Sequence, residues 1–253
     1  MKARFFFFPI IVIALGSCKS EIVFEPVIII PKTELLISEI STAINTDPLA
    51  AGTRSHYVEL FNGTGQSIDL SNYAVGYFAV TDNNTLSSFN FTTGSVIELK
   101  RILPTEKCYV IASSQADPIS IKRDTAWGTT STLAAQASTA LQLSGNSGVA
   151  LLKKNPTGTI VIAGTNYALV DVFGSPLVAR VTSTGALSSR NNIIWTIAGE
   201  NADTRNRTFF RKSSVVSPTT DWELSKGTMA ENAQWKISGD RLWDYTNIGL
   251  PTN

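Results

Sequence analysis

Apolar residues recur along this chain in short runs, separated by clusters of Asn, Gly, Asp, Pro and Ser. Runs of this length, bounded by turn residues, read as strands rather than helices. Leu35-Leu36-Ile37-Ser38-Glu39-Ile40 opens the series. Tyr57-Val58-Glu59-Leu60-Phe61 follows and alternates only in part, as a buried strand does. Further strands are expected at 73–80, 87–91, 96–99, 109–112, 149–153, 159–163 and 168–173. Between them, Asn62-Gly63-Thr64-Gly65, Asp82-Asn83-Asn84, Ser144-Gly145-Asn146-Ser147-Gly148 and Asn155-Pro156-Thr157-Gly158 supply residues that accept positive φ or preset a bend. The stretch 132–139 contains Ala134, Ala135 and Ala137, but Ser and Thr dilute it, and it reads as loop or a single turn. Many short strands at this spacing predict an all-β sandwich.

The N-terminus follows a different pattern. Lys2 and Arg4 precede an unbroken apolar stretch of 11 residues, 5–15, and then the small residues Gly16 and Ser17. This is the layout of a secretory signal peptide, and the stretch falls short of the roughly 20 residues that span a bilayer as a helix. Leu15-Gly16-Ser17-Cys18 resembles the lipobox of bacterial lipoproteins. That resemblance implies cleavage before Cys18 and acylation of its thiolate, which is the nucleophile such chemistry needs. Each buried methylene of the acyl chains contributes roughly 0.8 kcal/mol of membrane affinity. Lys19 rather than Asp follows the cysteine, and the resemblance then favours the outer membrane, with the leaflet left open. The expected organisation is a signal peptide over 1–17, a lipidated tether with Pro26 and Pro31 over 18–33, and a body over 34–253.

Composition narrows the function classes. The chain has 253 residues, 43% hydrophobic and 16% charged, which suits one sizeable core. Lys+Arg is 21 and Asp+Glu is 20, and loss of Lys2 and Arg4 with the signal peptide takes the formal net charge from +1 to −1. Whole-chain attraction to nucleic acid is therefore not built in. One His and two Cys exclude His-rich metal centres and cysteine zinc sites. With Cys18 lipidated, Cys108 has no disulfide partner, and its apolar setting, Cys108-Tyr109-Val110-Ile111-Ala112, reads as core.

Three segments, Leu36-Ile37-Ser38-Glu39-Ile40, Tyr57-Val58-Glu59-Leu60-Phe61-Asn62 and Ile68-Asp69-Leu70-Ser71-Asn72-Tyr73, resemble the lamin tail domain as it occurs in bacteria. Leu103-Pro104-Thr105-Glu106-Lys107-Cys108-Tyr109-Val110-Ile111, the segment 143–152 and Val170-Asp171-Val172-Phe173-Gly174 continue the resemblance. Phe210-Arg211-Lys212-Ser213-Ser214 with Pro218, Asp221-Trp222 and Trp235 carries it to about residue 238. The chain departs from that family's usual pattern at Tyr73, where Trp is common, at Asn72, where Gly is frequent, and at Pro104-Thr105, where Pro-Gly is usual. The resemblance implies an immunoglobulin-like β-sandwich. It also implies a binding or assembly module, since bacterial members accompany nucleases or sit on surface proteins.

Several residue groups offer chemistry. Glu39 and Glu59 lie on motif strands where they can face each other. With Asp171 they offer carboxylates for acid–base work or a divalent ion. The alternative is structural: each accepts backbone hydrogen bonds or meets an Arg. Asp82-Asn83-Asn84 and Asn201-Ala202-Asp203 carry oxygen ligands without a complete acidic loop. His56 has no second His and no Gly-x-Ser-x-Gly nucleophile to serve. Arg205, Arg207, Arg211 and Lys212, beside Phe209 and Phe210, either track single-stranded nucleic acid or form the charged face of an amphipathic strand. Trp127, in Ala126-Trp127-Gly128-Thr129, is either an exposed stacking residue or a loop anchor packed on the sandwich. Trp222 and Trp235 are expected in the core. Asp124-Thr125-Ala126 resembles an O-glycosylation acceptor of some Gram-negative bacteria.

The sequence thus leads to a lipid-anchored envelope protein with a non-enzymatic, protein- or glycan-binding sandwich. The site residues expected are Cys18 for lipidation, Leu15, Gly16 and Ser17 for cleavage, and Trp127, Arg205, Arg207 and Arg211 for ligand. No cofactor or metal is called for. Ligand contacts are expected in the long, polar segments 41–55 and 113–139. The alternative is a metal-dependent hydrolase or nuclease, or a nucleic-acid-binding module that works with a nuclease.

Overall fold

A computed structural model describes residues 30–44, 54–79, 88–91, 93–128, 141–143, 147–176, 181–182, 193–200, 207–239 and 244–250. Residues 1–30 and 31–253 form separate units. Only Ile30 of the first unit is described, so the signal peptide, Cys18 and the tether up to residue 29 lie outside the described residues. No helix among the described residues is long and apolar enough to cross a membrane.

Two antiparallel-rich sheets make the sandwich that the sequence predicts. The larger runs β15 (Trp235–Ile237), β14 (Thr208–Arg211), β1 (Leu36–Ile44), β2 (Arg54–Asn62), β7 (Lys107–Ser113), β8 (Thr125–Trp127). The smaller runs β10 (Ile160–Ile162), β11 (Thr165–Phe173), β9 (Ser147–Lys154), β4 (Tyr73–Ala79), β5 (Val96–Glu98). Two short pairs lie beside them, β3 (Ile68–Asp69) with β6 (Ile102–Leu103) and β12 (Val181–Thr182) with β13 (Ile193–Ile194). A single helical turn, α1 (Trp222–Lys226), is capped by the Asp221 carboxylate, which accepts from the Leu224 N–H at 3.1 Å.

The core between the sheets is built from alternate residues. Ile37 and Ile40 of β1, Val58 and Leu60 of β2 and Tyr109 and Ile111 of β7 join one cluster with Val75, Leu151 and Val172 of the smaller sheet. Aromatic rings from strands, the helical turn and a loop continue this core. Phe173 lies 4.8 Å from Phe209, 5.2 Å from Trp222 and 5.1 Å from Trp235, centroid to centroid, and Trp195 stands on Trp222 at 5.8 Å. Trp222 and Trp235 are core residues, as expected.

Some expectations change. The segment 88–91 forms no strand. Phe89 and Phe91 turn inward against Phe78 instead, and Phe91 fills the space that a side chain at Gly76 would need. The long segment expected over 41–55 is shorter, because β1 runs to Ile44 and β2 starts at Arg54. Lys32 and Thr33, assigned above to the tether, are bonded to the body: their N–H groups donate to the carbonyls of Gly63 and Val216 at 2.8 and 3.0 Å. The stretch 132–139 lies outside the described residues.

Asn62 closes the turn after β2. Its amide nitrogen donates to the carbonyls of Gln66, Leu103 and Pro104, and its oxygen accepts from the Thr64 N–H and hydroxyl. Nothing smaller satisfies both loops at once. Asn62→Ala leaves buried carbonyls without donors and is expected to lower stability by about 2–3 kcal/mol, measured by the shift in denaturant midpoint at constant slope.

Candidate functional site

The outer face of the larger sheet carries the most unusual chemistry in the fold. Strict alternation would point Ser38 outward and Glu39 into the core. A β-bulge prevents this: pairing between β1 and β2 shifts from Ile37↔Leu60 to Glu39↔Glu59. Ser38 is the extra residue, so Glu39 turns outward while Ile40 returns to the core. Glu39 then stands directly opposite Glu59, the juxtaposition anticipated from the sequence. Both are fully buried.

The pair is partly satisfied. The Tyr57 hydroxyl donates to Glu39 Oε1, and the Ser38 hydroxyl donates to Glu59 Oε1 at 2.6 Å. The Gly249 N–H donates to Glu59 Oε2 at 2.6 Å. Glu39 Oε2 has no hydrogen-bond partner. Burial pushes Glu39 up to about 8, with Glu59 and Asp244 adding to the rise and the Tyr57 hydroxyl opposing it. Burial also raises Glu59, against the bonds from Ser38, Gly249 and Cys108. Cys108, on β7 beside them, has its thiol raised by burial and by Glu59, so it is held as the protonated thiol. A neutral Glu39 is the form this environment accepts, because an unpaired buried carboxylate costs far more than an unpaired neutral carboxyl.

Asp171 does not join this pair. A second bulge, between Leu169 and Asp171 in the pairing of β11 with β9, turns its carboxylate toward the larger sheet. There Oδ2 accepts from the Ile37 N–H at 2.9 Å, and Oδ1 accepts from Val172, Thr219 and Arg211 at 3.0, 3.1 and 2.8 Å. Burial raises the carboxyl against these donors, which lower it. The constellation of Glu39, Glu59 and Asp171 is therefore split: two carboxylates lie on the outer face of the larger sheet, and the third is neutralised by Arg211. No group of three or more His, Cys, Asp or Glu suited to a metal occurs among the described residues.

The expected ligand residues are mostly turned inward. Arg211 is 2% exposed, with its guanidinium 4.6 Å over the Trp235 ring. The charged side of this strand thus faces the core rather than solvent, because a buried carboxylate waits there. Arg207 donates to the Ser238 carbonyl at 3.1 Å and lies 4.0 Å from Glu200. Trp127 is neither exposed nor in a loop. It sits on β8, parallel to β7, is 4% exposed and stands edge-on to Tyr77 at 5.4 Å. Thr125 shares a 2.5 Å hydrogen bond with the Tyr109 hydroxyl. His56 accepts from the Leu143 N–H through Nδ1 at 2.9 Å. Arg205, the two Asx-rich turns 82–84 and 201–203, and residues 15–18 lie outside the described residues.

Sequence reasoning missed two features. Tyr73, at a position where Trp was noted as usual, uses its hydroxyl to donate to Glu34 at 2.6 Å. Lys153 closes the same group at 2.6 Å. The C-terminal segment 244–250 also went unread, although it covers the Glu39–Glu59 pair; one acidic residue and a Gly among turn formers give no periodic signal.

Two outcomes follow from this geometry. Arg211→Met leaves the Asp171 carboxylate buried without its cation and is expected to cost about 3–5 kcal/mol in equilibrium unfolding. Unfolded Glu39 releases its proton near pH 4.5, whereas folded Glu39 keeps it to about pH 8. The folded state therefore binds more protons in this window. The contribution of Glu39 to stability is fully present below pH 4.5 and is lost as pH rises toward 8. Denaturation at pH 5 and 8.5 reads the fall, and Glu39→Gln flattens it.

No curated protein and no solved structure matches the chain. The family model for the lamin tail domain matches residues 30–173. That span contains both bulges, Asn62 and all three buried carboxylates, and it ends before the Phe210–Trp235 segments. Its coverage of more than half of the sequence, on a two-sheet sandwich of the expected kind, shows that this chain belongs to the lamin tail domain family.

Proposed function

We propose that this protein is a lipid-anchored envelope protein whose lamin tail domain binds another protein or a glycan and carries out no chemistry itself. The observation that supports this reading is the fate of the candidate catalytic groups. Glu39 and Glu59 are buried beneath the C-terminal segment, Asp171 is held by Arg211, and His56 Nδ1 accepts from the backbone. Acid–base catalysis needs a group within reach of a substrate proton. These groups are instead spent on holding the fold together.

The anchor is proposed on the sequence alone. The apolar stretch 5–15 with Leu15-Gly16-Ser17-Cys18 supports export, cleavage before Cys18 and acylation, with the outer membrane as destination. A rigid sandwich presented on a tether suits recognition through inter-strand loops. The loop between β1 and β2 and the segment after β8 remain the places where a partner is expected.

Labelled palmitate supplied to cells making the full chain should enter the protein, and Cys18→Ser should lose the label and leave the membrane fraction. Cross-linking on the same cells, followed by recovery of the tagged chain, should bring down one dominant envelope protein or a glycan. Metal-dependent nuclease activity of the purified protein that disappears in Glu59→Gln overturns the non-enzymatic reading.

A further inference from the structure

The segment 244–250 is attached to the body differently from the strands. It makes two turns of its own, with Ile248 N–H donating to the Tyr245 carbonyl and Leu250 N–H to the Asn247 carbonyl. Its hydrogen bonds to the body lie at its two ends: the Asp244 N–H donates to Thr208 Oγ1 at 2.9 Å, and the Gly249 N–H donates to Glu59 Oε2 at 2.6 Å. Between them Tyr245 and Ile248 pack on a small apolar cluster of Tyr57, Val110, Ala112, Ala116 and Ile121. This cluster is separate from the main core. The segment is thus a strap laid over the outer face of the larger sheet.

The strap shields the two carboxylates that oppose each other across β1 and β2. Two facing anions repel strongly where water is excluded. Ionising Glu39 in place also sets it against Asp244, the acidic residue at the strap's own end, which already acts on Glu39 electrostatically. Tyr57 on β2 and Cys108 on β7 are the other titratable side chains that act on the pair from the sheet, and Tyr245 of the strap packs on the neighbouring Tyr57 cluster. Asp124, just before β8, adds a further negative charge and is paired with Arg101 at 2.6 Å. The nearby cations do not cancel the pair. Arg123 is engaged with the Ser113 and Ala116 carbonyls, and Lys236 of β15 lies in register with Glu39 but with Phe210 between them. Relief comes only by letting water in. The strands on either side are tied into ladders, whereas the strap is tied at its ends.

We propose that the segment 244–250 is a strap that stays seated while the Glu39–Glu59 pair carries a proton and lifts when both carboxylates are ionised, uncovering the apolar face beneath it. The device works from pH alone and needs no ligand. It adds to the binding role proposed above a face that is exposed in one proton state and covered in the other, and it stands whether or not that role is right.

Amide hydrogen exchange on the full chain at pH 6 and pH 9, corrected for intrinsic base catalysis, tests this directly. Protection of 244–250 should fall at least tenfold at the higher pH, while the β1–β2 ladder stays protected. In Glu39→Gln, which mimics the protonated carboxyl, the protection seen at pH 6 should persist at pH 9. Asp244→Asn removes an anion that helps keep Glu39 protonated, so Glu39 ionises sooner and the midpoint of opening should move to lower pH, which keeps the test decisive if Glu39→Gln does not fold. Equal protection at both pH values, loss in step with the β1–β2 ladder, the same fall in Glu39→Gln, or an unmoved midpoint in Asp244→Asn would each overturn the proposal.

Discussion

The sandwich depends on one buried ion pair. Asp171 on the smaller sheet and Arg211 on the larger meet at 2.8 Å with essentially no exposure on either side chain. A pair this deep contributes little by attraction alone, because removing both charges from water offsets most of the gain. Its effect lies in what the carboxylate is obliged to hold. The Ile37 N–H sits at the β1 bulge, where the ladder has lost a partner, and Asp171 supplies it. The same carboxylate fixes the Thr219 N–H, which leads into the turn before α1. Arg211 in turn stacks on Trp235 and reaches the Ser225 hydroxyl, to which the Trp235 indole also donates. One anion thus sets the relation of β1, β11, β14, β15 and α1. Replacing it with an apolar residue would take the acceptor from the Ile37, Val172 and Thr219 N–H groups and leave the Arg211 guanidinium buried without its counter-charge.

This pair also crosses the boundary between the family match and the rest of the folded body. The matched span ends at Phe173, two residues after Asp171, and the guanidinium that neutralises Asp171 comes from outside it. β14 pairs with β1 through Glu39↔Phe210, Ile40↔Phe209 and Ser41↔Thr208, so the same C-terminal strand covers what would otherwise be an open sheet edge. The segments after residue 173 are part of the sandwich and not an appendage to it. The sequence resemblance at Phe210-Arg211-Lys212 and Trp235 pointed in this direction through residue types alone.

The strands were legible because their signal is local. Runs such as 57–61, 109–112 and 149–153 are bounded by turn chemistry, and each lies inside an observed strand. The opposition of Glu39 and Glu59 was legible as a possibility from two motif strands, although the bulge that creates it leaves no mark in composition. What failed was the reading of side-chain direction. Polar neighbours leave Trp127 open between an exposed and a packed position and point Arg211 to a charged strand face. Their burial is decided by partners distant in the chain, Tyr77 for one and Asp171 for the other. The segment 88–91 failed for a related reason: aromatic residues that favour strands in isolation here plug the end of a core and form no ladder.

The chain buries carboxylates in two places and neutralises them in two different ways. Asp171 meets the Arg211 guanidinium at 2.8 Å, and that junction behaves as a fixed part of the frame. Glu39 meets another carboxylate, and the charge is removed by a proton instead. A proton is exchangeable and a guanidinium is not. The first solution suits the interface between sheets, where any opening would undo the core. The second lies on the outer face, beneath a segment that no ladder ties down, where opening leaves the sandwich whole. The placement of the two sites therefore follows from their chemistry: the permanent counter-charge sits where the fold cannot yield, and the removable one sits where it can.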